Sequence, residues 1–509
     1  MTKKPANMAG GAKRIRRSSI GRFYLKRKNT ASFSLSTKTP EPANLGAMVR
    51  FGIRAKRLIL VVGDFVVFEA ALLVTLTVRY GSVTHSAWNA HALPFTLLAL
   101  LWIMVFYIAG LYDLALARDS LRFLRTFLEA MLANLGVALG LFYLIPVFGI
   151  APRTNLILDF VLVLLLGYAW RLAYNRLLAP TLFRNRVLFI GHTDDAARVH
   201  ELLSRSALGF ELIAVAETAP GTRFDDGSVT WHVSIDIISS ILAEKNISTI
   251  VLGHKPDDVP GLRDALYQTL FTPVAILDRT SLEEILTGRV PLEHVSQTWF
   301  LEHLRESDKA WYEAVKRVVD IFVAIPVGII TLLLFPFITL AVRLSSPGPI
   351  LYSQIRVGKY GKPFRIWKFR TMVATDPTGG AEAGGKPQFS SKDDPRITKI
   401  GKFLRAARLD ELPQVWNVLR GDMSIIGPRP ERPEFVQELT RQMPYYALRH
   451  LTRPGLTGWA QVRFPYASTF EDNLKKLQYD LYYIKHRSLM LDGAILLKTV
   501  GIVLRRQGT

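Results

Sequence analysis

The 509-residue sequence has no cysteine. That excludes disulfides, thiolate metal sites and cysteine nucleophiles. It is also short of acid: 42 Asp and Glu stand against 64 Lys and Arg, for a formal net charge of +22. The first 57 residues hold one acid, Glu41, against fifteen basic residues among Ser, Thr, Pro and Gly. That composition predicts a disordered basic arm over 1–57. It does not make a signal peptide, because the apolar run comes late and no small-residue cleavage site follows it.

What the chain does have is hydrophobicity. Apolar residues make up 49% and the mean hydropathy is +0.20. With a basic balance beside apolar runs, this predicts a membrane protein rather than a nucleic-acid binder. Four segments, roughly 58–80, 92–112, 123–148 and 155–178, each approach the ~20 residues needed to span. Asp64, Glu69, Glu129 and Asp159 interrupt them and are read as facing a bundle interior or sitting near a helix end, for packing rather than a functional path. The loop GSVTHSAWNAH carries no Lys or Arg, whereas DLALARDSLR and the stretch after the fourth segment do. The alternation places the N-terminus and everything after about residue 180 in the cytoplasm.

From residue 185 the pattern changes. RVLFIGH, FELIAVAE, ISTIVLGH and TPVAILD read as strands, with helical runs such as AARVHELLSR between them. This alternation predicts a parallel α/β sheet, a Rossmann-like module over 181–300. Its first turn, GHTDDA, lacks the second and third glycines of a dinucleotide fingerprint. The module is therefore expected to regulate or assemble, and it can mediate a homodimer.

A fifth apolar run covers about 318–343. Pro326 and Pro336 lie inside it, and the basic stretch SQIRVGKYGKPFRIWKFRTM follows. A crossing would put that stretch outside, against the charge rule. The expectation is a re-entrant membrane helix hairpin with its break at Pro336, inside an α-rich catalytic domain over 301–509.

The chemistry is expected in RLDELPQVWNVLRGDMSIIGPRP. Asp410 and Glu411 are adjacent, and Pro413 suits a first helical turn. The alternative reading is that these acids only cap that helix, for which one would suffice. Two acids near Arg405, Arg408 and Arg429 suit a phosphate and metal site, with one carboxylate attacking phosphorus and the other binding Mg²⁺ or moving a proton. Arg429 sits between two prolines. IWKFRTM places Lys368 and Arg370 on one side of a strand as further phosphate ligands. Asp480 is read as structural, with an approach to the site as the alternative.

KRVVD, SPGPILYSQIRVGKYGKPFRIWKFRTM, RLDELPQVWNVLRGDMSIIGPRP and TRPGLTGWAQV together resemble the polyprenyl-phosphate hexose-1-phosphate transferases, the large form of the monotopic phosphoglycosyl transferases. The resemblance covers roughly 316–504. It implies transfer of a hexose 1-phosphate from a UDP-sugar to undecaprenyl phosphate at the inner membrane, with UMP released. It also implies attack by Asp410, a phosphosugar–aspartate intermediate, help from Mg²⁺ held by Asp410 and Glu411, and phosphate binding by Arg405 and Arg429. The ending RFPYASTFEDNLKKLQYDLYYIKHRSL is most similar to members that start exopolysaccharide units, which suggests glucose first and galactose next. Where the family breaks its helix at Ser-Pro, this chain has Phe335-Pro336. Two rivals remain. One is a membrane-anchored nucleotide-sugar dehydratase or epimerase using Tyr312 and Lys316. The other is a non-catalytic scaffold.

Overall fold

In the computed structural model the described residues are 43–114, 120–144, 148, 153–178, 185–206, 208–218, 223, 227, 229–232, 237–304, 309–376, 379–381, 394–464 and 469–504. Of the expected basic arm, residues 1–42 lie outside them. The rest is helical, because α1 (Ala43–Tyr80) already begins at Ala43. Averaging charge over the whole arm hid Leu45, Met48, Val49 and Ile53, which recur at helical spacing.

Helices α1, α2 (His85–Ala109), α3 (Ser120–Leu139) and α4 (Arg153–Ala173) share one apolar core that includes Leu72, Leu76, Trp102, Phe106, Phe127 and Met131. Their apolar stretches are long enough to cross a membrane. The acids inside them are mostly paired. Asp64 accepts from Arg171 and, at 2.7 Å, from the Tyr112 hydroxyl. Glu69 accepts from Thr96 at 2.8 Å.

The α/β module follows. Strands β1 (Asn185–Gly191), β2 (Phe210–Glu217), β3 (Thr230–His232), β4 (Thr249–Leu252) and β5 (Ala275–Asp278) form a parallel sheet in the order β3-β2-β1-β4-β5. Helices α5 (Thr193–Arg205), α6 (Ile238–Glu244), α7 (Leu262–Thr269) and α8 (Arg279–Thr287) connect them. The strands are apolar on both faces because two separate cores flank the sheet, one against α5 and one against α6 and α7. Asp278 caps α8 by accepting from the Ser281 amide at 3.1 Å. Asp194 and Asp195 occupy the first turn of α5, a poor setting for phosphate.

A short helix, α9 (Gln297–His303), leads to α10 (Ala310–Ser345). Pro326 and Pro336, the second of them the expected turning point of the hairpin, both lie within the helical span of α10. Proline removes one backbone donor, and packing holds the turns around it. Leu334, Phe335 and Ile338, which flank Pro336, sit in a cluster with Phe369, Leu404, Leu409 and Leu412. Both ends are tied to the same C-terminal module. Near the start, Arg317 donates to the carbonyls of Val418 at 2.5 Å and Leu419 at 2.8 Å. At the end, Arg370 donates to the carbonyls of Ser346 at 2.6 Å and Pro347. Between them a buried line runs through Tyr312, Lys316, Asp320, Ala324, Ile338 and Val342. The other side exposes Val318, Phe322, Ile329, Leu333, Phe337 and Leu344.

The C-terminal module contains the antiparallel hairpin β6 (Leu351–Val357) and β7 (Pro363–Phe369), then α11 (Lys399–Ala406), a 3₁₀ turn over Leu409–Gln414 and α12 (Val415–Arg420). Strands β8 (Ser424–Ile426) and β9 (Gly455–Thr457) pair in parallel, with α13 (Pro433–Gln442) between them. Helices α14 (Trp459–Arg463), α15 (Phe470–His486) and α16 (Leu489–Leu504) close the chain. A capping box, Thr469 with Asp472, starts α15.

Candidate active site

Asp410 and Glu411 lie in the 3₁₀ turn before α12, a turn entered through Arg408 at φ 57°. That left-handed conformation is uncommon for a residue with a side chain, and such positions collect at functional sites. The turn packs against the end of β7, which brings Lys368 to Glu411.

Glu411 is held by three cations. Lys368 Nζ donates to Oε1 at 2.7 Å and Arg429 NH2 to the same oxygen at 3.1 Å, while Arg408 NH1 lies 3.6 Å from Oε2. Burial works against its charge, but Lys368, Arg429 and Arg408 outweigh that and keep the carboxyl well below its ordinary range. Asp410 is the opposite case. It is 7% exposed and accepts no hydrogen bond from any described residue. Burial, and then the charge of Glu411, push its carboxyl up to about 6, against the pull of Lys368, Arg405 and Arg408. A buried carboxylate left unpaired among cations is a candidate nucleophile.

Arg429 is placed by a crossing of two loops. Gly427 donates its amide to Thr457 O at 2.8 Å, and Gly455 donates to Pro428 O at 2.9 Å. A Cβ at Gly427 would lie 2.3 Å from Arg453 O, so only glycine lets the strands meet. Behind the loop, buried Arg449 donates to Arg429 O at 3.1 Å, to Asp480 at 2.8 Å and to the Tyr446 hydroxyl at 2.7 Å. Asp480 is therefore structural, as read from the sequence, and its partner stands directly behind Arg429. Sequence spacing gave no signal for Arg449, because 31 residues separate the pair.

The structure thus brings together Asp410, Glu411, Lys368 and Arg429, with Arg405 and Arg408 acting on Asp410. Arg405 Nε donates to Thr371 Oγ1 at 2.9 Å. Arg370 is not with them. It is 3% exposed and its guanidinium is taken up by the carbonyls that end α10, so its expected role as a phosphate ligand gives way to a helix cap. It follows β7 at the point where the chain leaves the strand, so period-two alternation no longer sets its direction. Pro336 lies within α10.

Among the described residues no group of three or more His, Cys, Asp or Glu could hold a metal ion. Two carboxylates completed by substrate phosphates is, however, a common Mg²⁺ arrangement. The unpaired Asp410 carboxylate and Glu411 Oε2, which faces only Arg408, fit that pattern.

Comparison with known proteins decides the family. A profile described as bacterial sugar transferase matches residues 311–506. A UDP-glucose:undecaprenyl-phosphate glucose-1-phosphate transferase of Klebsiella pneumoniae is 30% identical over 349 residues, covering 66% of this chain and 70% of that protein. The chain belongs to the bacterial sugar transferase family. Another similar protein is a UDP-N-acetylgalactosamine-undecaprenyl-phosphate N-acetylgalactosaminephosphotransferase of Aeromonas hydrophila, 39% identical over 260 residues, 50% of this chain and 58% of that one. A UDP-glucose:undecaprenyl-phosphate glucose-1-phosphate transferase of Escherichia coli (strain K12) is 42% identical over 190 residues, 36% of this chain and 39% of that one. The match thus spans little more than half of the Aeromonas relative and less than half of the Escherichia one. Every site residue named above lies inside the bacterial sugar transferase region.

Proposed function

We propose that the protein transfers a hexose 1-phosphate from a UDP-sugar to undecaprenyl phosphate at the cytoplasmic face of the inner membrane, as the first membrane step of exopolysaccharide synthesis. The observation that carries this reading is the buried, unpaired Asp410 carboxylate ringed by Lys368, Arg405 and Arg408. Its carboxylate oxygen attacks the β-phosphorus of the UDP-sugar, an O–P bond forms, and the bond to the UMP oxygen breaks. A phosphate oxygen of undecaprenyl phosphate then attacks the same phosphorus and releases the Asp410 carboxylate. Arg405 and Arg429 neutralise phosphate oxygens, and Lys368 holds Glu411 in place. Asp410 and Glu411 would hold Mg²⁺, which when bound offsets charge on the diphosphate. The relatives' names include glucose, galactose and N-acetylgalactosamine transferases, and we take UDP-glucose as the first donor to try.

The placement of α10 supports a one-sided active site. Helix α10, 36 residues long, is tied to the C-terminal module near both ends, through Arg317 and Arg370. Crossing a bilayer would drag that module with it. Leaving its exposed apolar row in water would cost roughly 1.5–3 kcal/mol per large side chain. Lying partly embedded at one surface satisfies both. The dehydratase reading loses its support. Tyr312 OH and Lys316 Nζ both bind buried Asp492, at 2.7 and 2.8 Å, so neither faces a substrate.

The test is UMP release from UDP-glucose, UDP-galactose and UDP-N-acetylgalactosamine with Mg²⁺ and undecaprenyl phosphate present. Wild type should release UMP with one donor, and Asp410→Asn should not. Equal release by both would remove Asp410 as nucleophile. Silence with every donor would favour a scaffold.

A further inference from the structure

A second group of cations lies where the apolar helices meet the C-terminal module, away from Asp410. It draws on three distant stretches of chain: Arg57 of α1, Arg463 at the end of α14 and Lys498 of α16. Arg463 sits over the ring of Trp459 at 4.6 Å from its centroid, and Lys498 over the same ring at 5.7 Å. Trp459 is fixed, 7% exposed, with its indole N–H donating to Gly288 O at 2.7 Å. Arg57 acts electrostatically on Lys498, and together with Arg463 on Tyr107 of α2. Helix α16 packs closely on α2 here, since a Cβ on Gly501 would lie 3.1 Å from Ile108.

The balance of charge differs from that of the candidate active site. There, three cations converge on Glu411. Here none of the three has an ion-pair partner among the described residues, and Asp113 is the one carboxylate acting on Lys498. Burial first, then Arg463 and Arg57, pull the Lys498 ammonium down to about 8, which an added anion would reverse. The depth is also defined. Arg57 is the third residue of a membrane-length stretch that begins at Ala55. Tyr107 lies in the last turn of another such stretch, His85–Ala109, and Trp and Tyr favour that boundary.

We infer that Arg57, Arg463 and Lys498 form a binding site for the phosphate of an anionic membrane lipid, at the junction of the apolar helices and the C-terminal module. A phosphate offers several acceptor oxygens to three cations approaching from different elements. A lipid phosphate, unlike a soluble one, is already held at this depth. The site is independent of the transferase reading, because it uses no residue of the Asp410 cluster.

The experiment uses the full chain in nanodiscs of phosphatidylcholine with one fifth phosphatidylglycerol, and measures lipid retained on detergent extraction by native mass spectrometry. Wild type should retain phosphatidylglycerol over phosphatidylcholine. Lys498→Gln and Arg463→Gln should each weaken retention about fivefold, the effect of roughly one basic residue near a membrane surface. Lys498→Arg, which keeps the charge, should hold lipid like wild type and so separates lost binding from lost folding. Arg263→Gln, an exposed arginine paired with Asp257, is the control and should change nothing. Equal retention by wild type and the Lys498→Gln, Arg463→Gln double variant would overturn the proposal. Full displacement of the lipid by millimolar glycerol 1-phosphate would overturn it too, by assigning the site to a soluble phosphate ester.

Discussion

Asp410 carries two linked expectations, one on rate and one on stability. On the proposed mechanism its carboxyl must be ionised to attack phosphorus, yet burial and Glu411 push it up to about 6. The chemical step should therefore slow in acid, with roughly one tenth of Asp410 ionised at pH 5 and nearly all at pH 7.5. Single-turnover UMP release between pH 5 and 8 reads this directly. Glu411→Gln removes the second cause of the upward displacement and frees Lys368 and Arg429 to act on Asp410. Its acid limb should move to lower pH even as its plateau falls. The stability sign is the reverse of the functional one. A carboxyl whose folded pKa is raised stabilises the protein in acid and loses that contribution as pH rises through about 6. Asp410→Asn should thus melt higher than wild type at pH 7.5. The ceiling is about 3 kcal/mol, the equivalent of raising a carboxyl from its ordinary value to about 6. The gain should shrink toward pH 5. A flat wild-type rate profile, an acid limb that stays put in Glu411→Gln, or an Asp410→Asn variant that melts lower at pH 7.5 would each refute the reasoning.

Asp480→Asn should destabilise the protein by about 3–5 kcal/mol, because it leaves Arg449 charged and buried, and it should raise KM for the nucleotide sugar by loosening the loop of Arg429; a thermal melt and steady-state kinetics check both. Arg370→Gln should lower the melting temperature through loss of the α10 cap while leaving KM near wild type, which separates it from Arg429→Gln, whose KM should rise steeply. Glu284 of α8 accepts from Lys485 at 2.7 Å and His486 at 2.5 Å, so Glu284→Ala should expose the segment between α8 and α10 to limited proteolysis without changing the sheet's circular dichroism.

Much of the architecture was legible in the sequence because it rests on periodicity. Apolar runs of membrane length gave the first helices, and short apolar runs between helical stretches gave β1, β2, β4 and β5. Strand β3 escaped because it has three half-buried residues at a sheet edge and no apolar run. Asp410, Glu411, Lys368 and Arg429 were legible because local turns and alternation fix them. Arg370 was misread because its direction is set by carbonyls 24 residues earlier in the chain. In α10 the prolines mark where the helix can yield, and Ile338 and Val342, packed with Phe369 and Leu404, hold the part that follows Pro336.

The seating of α10 also bears on how the protein meets its lipid. Its buried line joins β8 in one core through Ala324 and the turn of Asp410 in another through Ile338 and Val342, with Asp320 accepting from the Ser424 hydroxyl and the Ile425 amide, each at 3.0 Å. The height of the carboxylate above that helix is then a fixed dimension of the fold. On the proposed reading, with α10 resting in the bilayer surface, acceptor and nucleophile share one plane and search for each other in two dimensions. Turnover should then follow the surface density of the lipid phosphate rather than its concentration in the whole volume.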